Sequence, residues 1–408
     1  MTDMFFARQP IFDIELNTWA YQLRFRHGPA DIFIEKPTQD QARKTLASAP
    51  LMDLSKLTGG KRAFFAITRE ILIGEFATLF PSRLVGLELP GDIEPTEATL
   101  RAAGNLKKAG YSIGVGAWAL ESGFRPYLQL ADMIRFDLNE IPIKQAKSVI
   151  ASLQGVRARL LAENVEEEDD YKAAVDAGFN LVEGRFFAKP KIISARDVPG
   201  FKMNFLAILK EIHEPEISFE KLDEVIRRDL SLSYKLLKYI NSAHFGLSSE
   251  ITSIHQALVM MGEEEFKKWV SLVVLGGLAA DRPPEVVMQA MIRARFCEEL
   301  ASAAGRKDLR NQCFLAGMFS PLDVILGRPL QEIIENIPLA QPIKDCLLGE
   351  ENDIAHALDL VRAYECLDWP VFDEKLEHLG VKEQTIPAYY LEAVDWSNQS
   401  IRVIGRHG

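Results

Sequence analysis

The stretch "FFARQPIFDIELNTWAYQLRFR" (residues 5–26) contains two apolar strand candidates, and six more follow before residue 190. The six are RAFFAIT, RLVGLEL, YSIGVGA, DMIRFDL, ARLLAEN and NLVEGRFF. Several of the eight are too uniformly apolar for a half-exposed sheet and are typical of strands buried on both faces. Helical segments such as TEATLRAAGNLKKAG lie between them. Seven or eight such units across about 190 residues predict a TIM-like (β/α) barrel.

The second half of the chain has almost no strand signal. Apolar residues recur there at helical spacing, as in FEKLDEVIRRD and SLSYKLLKYINSAHFG. Pro199 and Gly200 mark the change of pattern. We therefore predict an α/β plus all-α protein, with a barrel over residues 1–195 and a helical domain over 196–408.

Composition excludes several classes of function. The 408 residues carry a formal net charge of −11 without a long basic run, which argues against a nucleic-acid partner. No uncharged apolar stretch reaches the length of a membrane span, and the start is not typical of a signal peptide. The four cysteines are widely spaced, which is typical of thiols in a reducing compartment. We expect a cytoplasmic protein.

Residues 114–119, GVGAWA, fit the glycine pattern of a dinucleotide-binding loop. A strand candidate precedes them, and Asp137 lies 23 residues beyond Gly114. However, Gly123 and Pro126 interrupt any helix that would follow, and the loop is not in a first βαβ unit. The residues alone leave open whether this loop holds a phosphate or is the remnant of another site.

Residues 4–190 resemble an EAL domain, the barrel that hydrolyses cyclic di-GMP with two divalent metals, and the opening line resembles the variety followed by an HDOD domain. Several positions of the EAL motif carry other residues here. Its Glu falls at Gln22, its Asn at Ala66, its Asp pair at Gly116 and Ala117, its Lys at Arg135 and its last Gln at Glu183. The retained residues are Arg26, Glu88, Asp137 and Glu163.

These departures predict a degenerate site. Ala66, Gly116 and Ala117 supply no side-chain oxygen, and hard divalent metals require several oxygen donors. We therefore expect no metal, no cofactor and no enzymatic activity. The alternatives are an effector in which Arg26 meets a phosphate and Trp118 stacks on a guanine, and a residual phosphodiesterase. Glu88, Asp137 and Glu163 can also be explained by local hydrogen bonds.

Residues 201–400 resemble an HDOD domain, a helical relative of HD phosphohydrolases. The resemblance rests on RRDLSLSYKLLKYINSAHFGLSSEITSIHQALVMMGEEEFKKWV, in which Asp229, Asn241 and Ser242 match motif positions. The His-Asp pair of the hydrolases falls at Ser320-Pro321, and none of the seven histidines precedes an Asp. Asn241 and Ser242 are expected to close a helix end by bonding backbone groups.

Both resemblances together predict a non-enzymatic signalling protein. The setting they imply is bacterial cyclic di-GMP, motility or biofilm control, with the helical half as a docking surface for protein partners that the sequence does not name. We expect no nucleic-acid partner, and cyclic di-GMP binding stays open as an alternative.

Overall fold

The computed structural model describes residues 5–26, 53–74, 78, 80–153, 156–189, 200–214, 219–227, 230–241 and 251–404. The chain consists of two compact units, Met1–Lys189 and Pro190–Gly408. The predicted boundary after residue 195 stays a prediction, since residues 190–199 lie outside the described residues.

The first unit is a closed barrel of eight strands in chain order. The strands are β1 (Phe5–Asp13), β2 (Thr18–Arg26), β3 (Arg62–Ala66), β4 (Val85–Leu89), β5 (Ser112–Gly116), β6 (Met133–Asp137), β7 (Arg159–Glu163) and β8 (Leu181–Glu183). Strand β1 runs antiparallel to both β2 and β8, and all other neighbours are parallel. The predicted barrel is confirmed.

Helices connect the parallel strands. They are α1 (Leu54–Thr58), α2 (Arg69–Ile73), α3 (Glu97–Lys108), α4 (Ile143–Ser152) and α5 (Glu168–Ala177). Local chemistry sets their ends: Thr96 accepts a hydrogen bond from Thr99 N at the start of α3, and Gly178 takes a left-handed φ of 100° after α5. Inside the barrel, Ile11, Phe64, Met133 and Leu161 belong to one fully buried cluster.

In its described residues, the second unit contains helices and no strands. Its helices are α6 (Gly200–Ile212), α7 (Phe219–Arg227), α8 (Leu230–Ile240), α9 (Ile254–Met261), α10 (Glu263–Leu278), α11 (Pro284–Ala303), α12 (Arg310–Phe319), α13 (Leu322–Leu326), α14 (Leu330–Glu335), α15 (Gln341–Leu347), α16 (Asp353–Cys366), α17 (Trp369–Leu379) and α18 (Ile386–Ile404). The predicted all-α second half is confirmed. Over the described part of the chain, no helix is long and apolar enough to cross a membrane.

Candidate functional site

The predicted site residues gather at the carboxyl ends of the parallel strands. Strand register sets them side by side, in the pairs Ala66–Glu88, Gly116–Arg135 and Asp137–Glu163. Glu183 ends β8, and Gln22 lies on β2. We call this edge the rim; in barrels of this kind it is the edge that carries active sites.

Arg135 joins two carboxylates across the rim. Its Nε donates a hydrogen bond to Glu163 Oε1 at 2.8 Å, and Nη2 donates to the same oxygen. Its Nη1 donates to Glu88 Oε2. The three side chains are between 4% and 18% exposed, so these ion pairs are largely withdrawn from water. The fork of the guanidinium suits this double contact, which a lysine ammonium cannot reproduce with the same geometry.

Two further contacts complete the cluster. Gln22 is buried and donates through Nε2 to Glu88 Oε2 at 3.0 Å. Arg24 lies 3.8 Å from Glu183 Oε1 through Nη2, with 27% of its side chain exposed against 2% for the glutamate. We refer to Gln22, Arg24, Glu88, Arg135, Glu163 and Glu183 as the rim cluster.

Burial dominates the protonation of the rim cluster. It raises the pKa of Glu183 to about 8, reinforced by the neighbouring charge of Glu163 and opposed by Arg24 and Arg135. Burial also raises the pKa of Glu88, although Arg135 opposes the shift. For Arg135 burial lowers the pKa, but Glu88 and Glu163 outweigh it and the pKa lies above its ordinary value. Glu183 is therefore protonated at neutral pH, while the guanidinium keeps its charge.

Three buried oxygens of the rim cluster accept no hydrogen bond from any described residue: Gln22 Oε1, Glu88 Oε1 and Glu183 Oε2. Buried polar atoms without a partner are uncommon in folded proteins and often mark functional groups. Each of these oxygens is available to accept a proton or a hydrogen bond from a ligand.

The loop after β5 answers the question raised by GVGAWA. Residues 117–120 form a single 3₁₀ turn, so the long helix that a dinucleotide loop requires does not follow. A Cβ on Gly116 would lie 2.6 Å from two atoms of the Trp118 indole, and one on Gly91 would lie 3.0 Å from the same ring. Trp118 also packs edge-on against Phe124 and Tyr127. The indole occupies the space that a side chain at position 116 would need.

The two divalent metals that the resemblance implies do not fit the rim cluster. Arg135 engages one oxygen each of Glu88 and Glu163, where a metal would need those carboxylates. Ala66 and Gly116 bring no side-chain donor to the same edge. In the described ranges no group of three or more His, Cys, Asp or Glu side chains is arranged to hold a metal ion. The positive charge at the centre of the site is instead the protein's own guanidinium.

Asp137 lies at the rim but outside the ion-pair network. Its Oδ1 accepts hydrogen bonds from Asn164 Nδ2 at 2.7 Å and from Asn139 N at 2.9 Å. Asn164 has a positive φ of 60°, a conformation that asparagine tolerates better than most residues. Asp137 is thus held by hydrogen bonds from two neutral donors, whereas Glu88 and Glu163 take part in ion pairs with Arg135.

Sequence reasoning missed Arg24. The EAL motif has a leucine at this position, so only the alternation of side chains along the strand offered a signal. Residues two apart on a strand share a face, so Arg24 points to the same side as Gln22. Arg26 also belongs to β2, but its side chain lies outside the described residues.

In the helical unit, the structure describes one of the three motif residues. Asn241 donates through Nδ2 to Leu237 O and Ile251 O, and its Oδ1 accepts from Ile251 N at 2.8 Å. It thus connects the end of α8 to the chain that precedes α9. Asp229 and Ser242 lie outside the described residues.

At the position of the missing His-Asp pair, Ser320 Oγ accepts a hydrogen bond from Arg293 Nη1 at 3.0 Å. Arg293 Nη2 also pairs with Glu365 Oε2 at 2.8 Å, and both side chains are 13% exposed. A buried arginine therefore stands here as well.

Comparison with known proteins covers both units. Residues 198–339 match the HDOD domain family. The cyclic di-GMP phosphodiesterase CdgJ of Vibrio cholerae is 29% identical over 99% of this chain and 94% of its own length. YuxH of Bacillus subtilis is 32% identical over 96% of this chain and 98% of its own. A standalone EAL protein from Vibrio cholerae O395, solved with c-di-GMP bound, covers 46% of this chain and 92% of its own at 18% identity and a TM-score of 0.38.

The relative CdgJ overturns two expectations, that the chain is a non-enzymatic scaffold and that it is not an enzyme. Both rested on counting the metal ligands that the motif had lost. That count ignored the charged groups that remain, which the fold collects into one buried cluster around Arg135. The expectation that the barrel is a degenerate phosphodiesterase is therefore not supported either. The chain belongs to the family of proteins in which an EAL barrel precedes an HDOD domain.

Proposed function

We propose that the chain is a cyclic di-GMP phosphodiesterase whose substrate binds at the barrel rim. The observation that carries the proposal is the rim cluster, in which two guanidinium groups lie over three carboxyl groups. The name and full-length match of CdgJ support the choice of substrate.

The arginines are the groups that would meet the substrate first. Arg24 and Arg135 keep 27% and 18% of their side chains exposed, while the carboxyl groups beneath them are almost completely covered. Cyclic di-GMP presents two anionic phosphodiesters, and arginine binds such groups with two parallel hydrogen bonds. Trp118, partly exposed at the end of β5, offers an aromatic surface for a guanine.

The carboxyl groups supply acid–base chemistry. Water attacks one phosphorus, a new P–O bond forms, and the P–O bond to the 3′ oxygen breaks to give the linear dinucleotide. Glu88, whose pKa burial raises, takes the proton of the water. Glu183, with a pKa of about 8, gives its proton to the leaving oxygen. Arg24 and Arg135 stabilise the charge that develops on the phosphoryl oxygens.

The test is turnover by the purified chain, measured as conversion of cyclic di-GMP to the linear dinucleotide by chromatography. Glu88→Gln and Glu183→Gln should each lower kcat about 100-fold or more. Glu97→Gln, on an exposed residue of α3, is the matched control and should leave kcat unchanged. Wild-type protein that is folded and shows no turnover above the buffer rate would refute the proposal, as would equal rates in all three variants.

A protein partner and a cytoplasmic setting in motility or biofilm control remain part of the proposal. The large apolar side chains that the helical unit exposes include Tyr234, Val259 and Met260, which are between 54% and 66% exposed. The two helices that carry them, α8 and α9, pack against each other, and contiguous exposed apolar side chains are typical of docking surfaces. Capture of a partner from a bacterial lysate should be lost on Tyr234→Ser together with Val259→Ser.

A further inference from the structure

The barrel has a second polar cavity at the opposite end of its strands. It measures about 770 Å³ and is lined, among others, by Trp19, Arg62, Lys107, Asp132, Arg157 and Arg159. Trp19, Arg62 and Arg159 lie at the amino ends of β2, β3 and β7, whereas the rim cluster lies at the carboxyl ends. We call this space the lower cavity; its volume is in the range of pockets that hold small molecules.

The lower cavity has more positive charge than its own carboxylate can neutralise. Lys107 Nζ pairs with Asp132 Oδ1 at 3.0 Å, and Asp132 Oδ2 accepts from Ile113 N. The Asp132 carboxylate is therefore already paired with Lys107 and bonded to the backbone. Within the ranges that the structure describes, Arg62, Arg157 and Arg159 form no ion pair with a carboxylate. In a chain with a net charge of −11, three such arginines around one cavity form a local basic site.

Two of these arginines are held in place. Arg62 Nη1 donates to Ser112 Oγ at 2.6 Å, and its Nε is buried without a hydrogen-bond partner among the described residues. Arg159 lies 5.2 Å above the ring of Trp19, and this ring also stacks on Phe64 with 5.5 Å between the ring centroids. Positioned donors of this kind lose little conformational entropy when a ligand binds.

We infer that the lower cavity binds a small molecule that carries several phosphate groups. Guanidinium forks match phosphate oxygens in geometry and charge, and three of them suit a di- or triphosphate better than a single carboxylate. This site is independent of the rim cluster and of the activity proposed there.

The inference is tested by calorimetric titration of the full-length chain with inorganic triphosphate, and separately with GTP. Both should bind in a saturable way that weakens as salt rises, because the contacts are ionic. The variant Arg157→Gln/Arg159→Gln, at two exposed positions, should weaken binding about 10- to 100-fold, in line with the loss of charged hydrogen bonds. Arg101→Gln, on an exposed residue of α3 outside the cavity, should bind like wild type.

The rim variant Arg135→Lys should also bind triphosphate like wild type, which separates the two sites. Binding of GTP without binding of triphosphate would support a nucleotide whose base contributes to recognition, provided that the double variant loses it. Absence of saturable binding of both probes, or equal binding by the double variant with an unchanged melting temperature, would overturn the inference.

Discussion

Replacing Arg135 with methionine tests the central feature of the rim. The substitution removes the only cation that contacts Glu88 and Glu163 together within the described residues, and leaves those carboxyl groups 4% and 12% exposed. Breaking a buried ion pair from one side costs about 3–5 kcal/mol, because the remaining charge is uncompensated. We expect the free energy of unfolding of the barrel to fall by that amount at pH 8.

The loss should depend on pH in one direction. Arg135 opposes the rise that burial causes in the pKa of Glu88, so without Arg135 this pKa rises further and the folded state binds more protons than the unfolded state. The stabilisation that such groups provide is complete below about pH 4 and is lost as pH rises through their folded pKa values. The difference between wild type and Arg135→Met should therefore be small near pH 5 and largest near pH 8.

Hydrogen exchange followed by mass spectrometry is the appropriate measurement, since it reports on barrel peptides separately from the helical unit. Arg135→Lys is the matched control: it keeps the charge but not the fork, and should lose less stability than the methionine variant. Adding Glu88→Gln to Arg135→Met should recover part of the loss. A loss below about 1 kcal/mol, or one that does not change with pH, would refute the central role of this guanidinium.

Three further predictions follow from close contacts and burial. Gly116→Asp should lower the melting temperature, because a Cβ there would lie 2.6 Å from the Trp118 ring, and Trp118→Ala in the same chain should relieve the effect. Gly184→Ala should be more damaging, by about 3 kcal/mol or more, since its Cβ would meet the backbone of Val165 at 1.9 Å; Gly123→Ala, with nothing within 4 Å, should be tolerated. Glu183→Gln should stabilise the barrel at pH 8 and have little effect near pH 5, because the pKa of about 8 makes ionisation of this buried carboxyl costly. Thermal and urea unfolding across this pH range measure all three.

The barrel could be predicted from sequence because its signal is local. Buried parallel strands are continuous apolar runs, and each of the eight runs contains a strand in the structure. The position of the candidate site could also be predicted from the sequence, because the carboxyl ends of parallel strands meet at one edge of the barrel. These conclusions require only short stretches of sequence and a rule of topology.

The chemistry of the site could not be predicted in the same way. Arg135 contacts partners 47 and 28 residues away in sequence, and nothing in its own strand indicates that one guanidinium reaches both. Relative to the EAL motif, Arg135 replaces a lysine and Gln22 replaces a glutamate. Each substitution considered alone indicated the loss of a metal site. Only the distances show that Arg135 forms ion pairs with Glu88 and Glu163 and that Gln22 donates a hydrogen bond to Glu88. The sequence left the role of GVGAWA open, and only the structure shows that the Trp118 ring excludes a side chain at Gly116.

The cluster around Arg135 at the rim and the contacts of Arg293 in the helical unit differ in their balance of charge. In the helical unit, Arg293 pairs with the carboxylate of Glu365 and donates to the neutral hydroxyl of Ser320, so one positive charge meets one negative charge. At the rim, two guanidinium groups meet three carboxyl groups. Burial is the main cause that raises the pKa of Glu183 to about 8, and the neighbouring charge of Glu163 adds to it, while Arg24 and Arg135 only partly oppose the rise. A group that exchanges a proton near neutral pH can serve a reaction, whereas a balanced pair is suited to holding helices together. The raised pKa of Glu183 is therefore the feature that favours the rim as the place of the proposed catalysis.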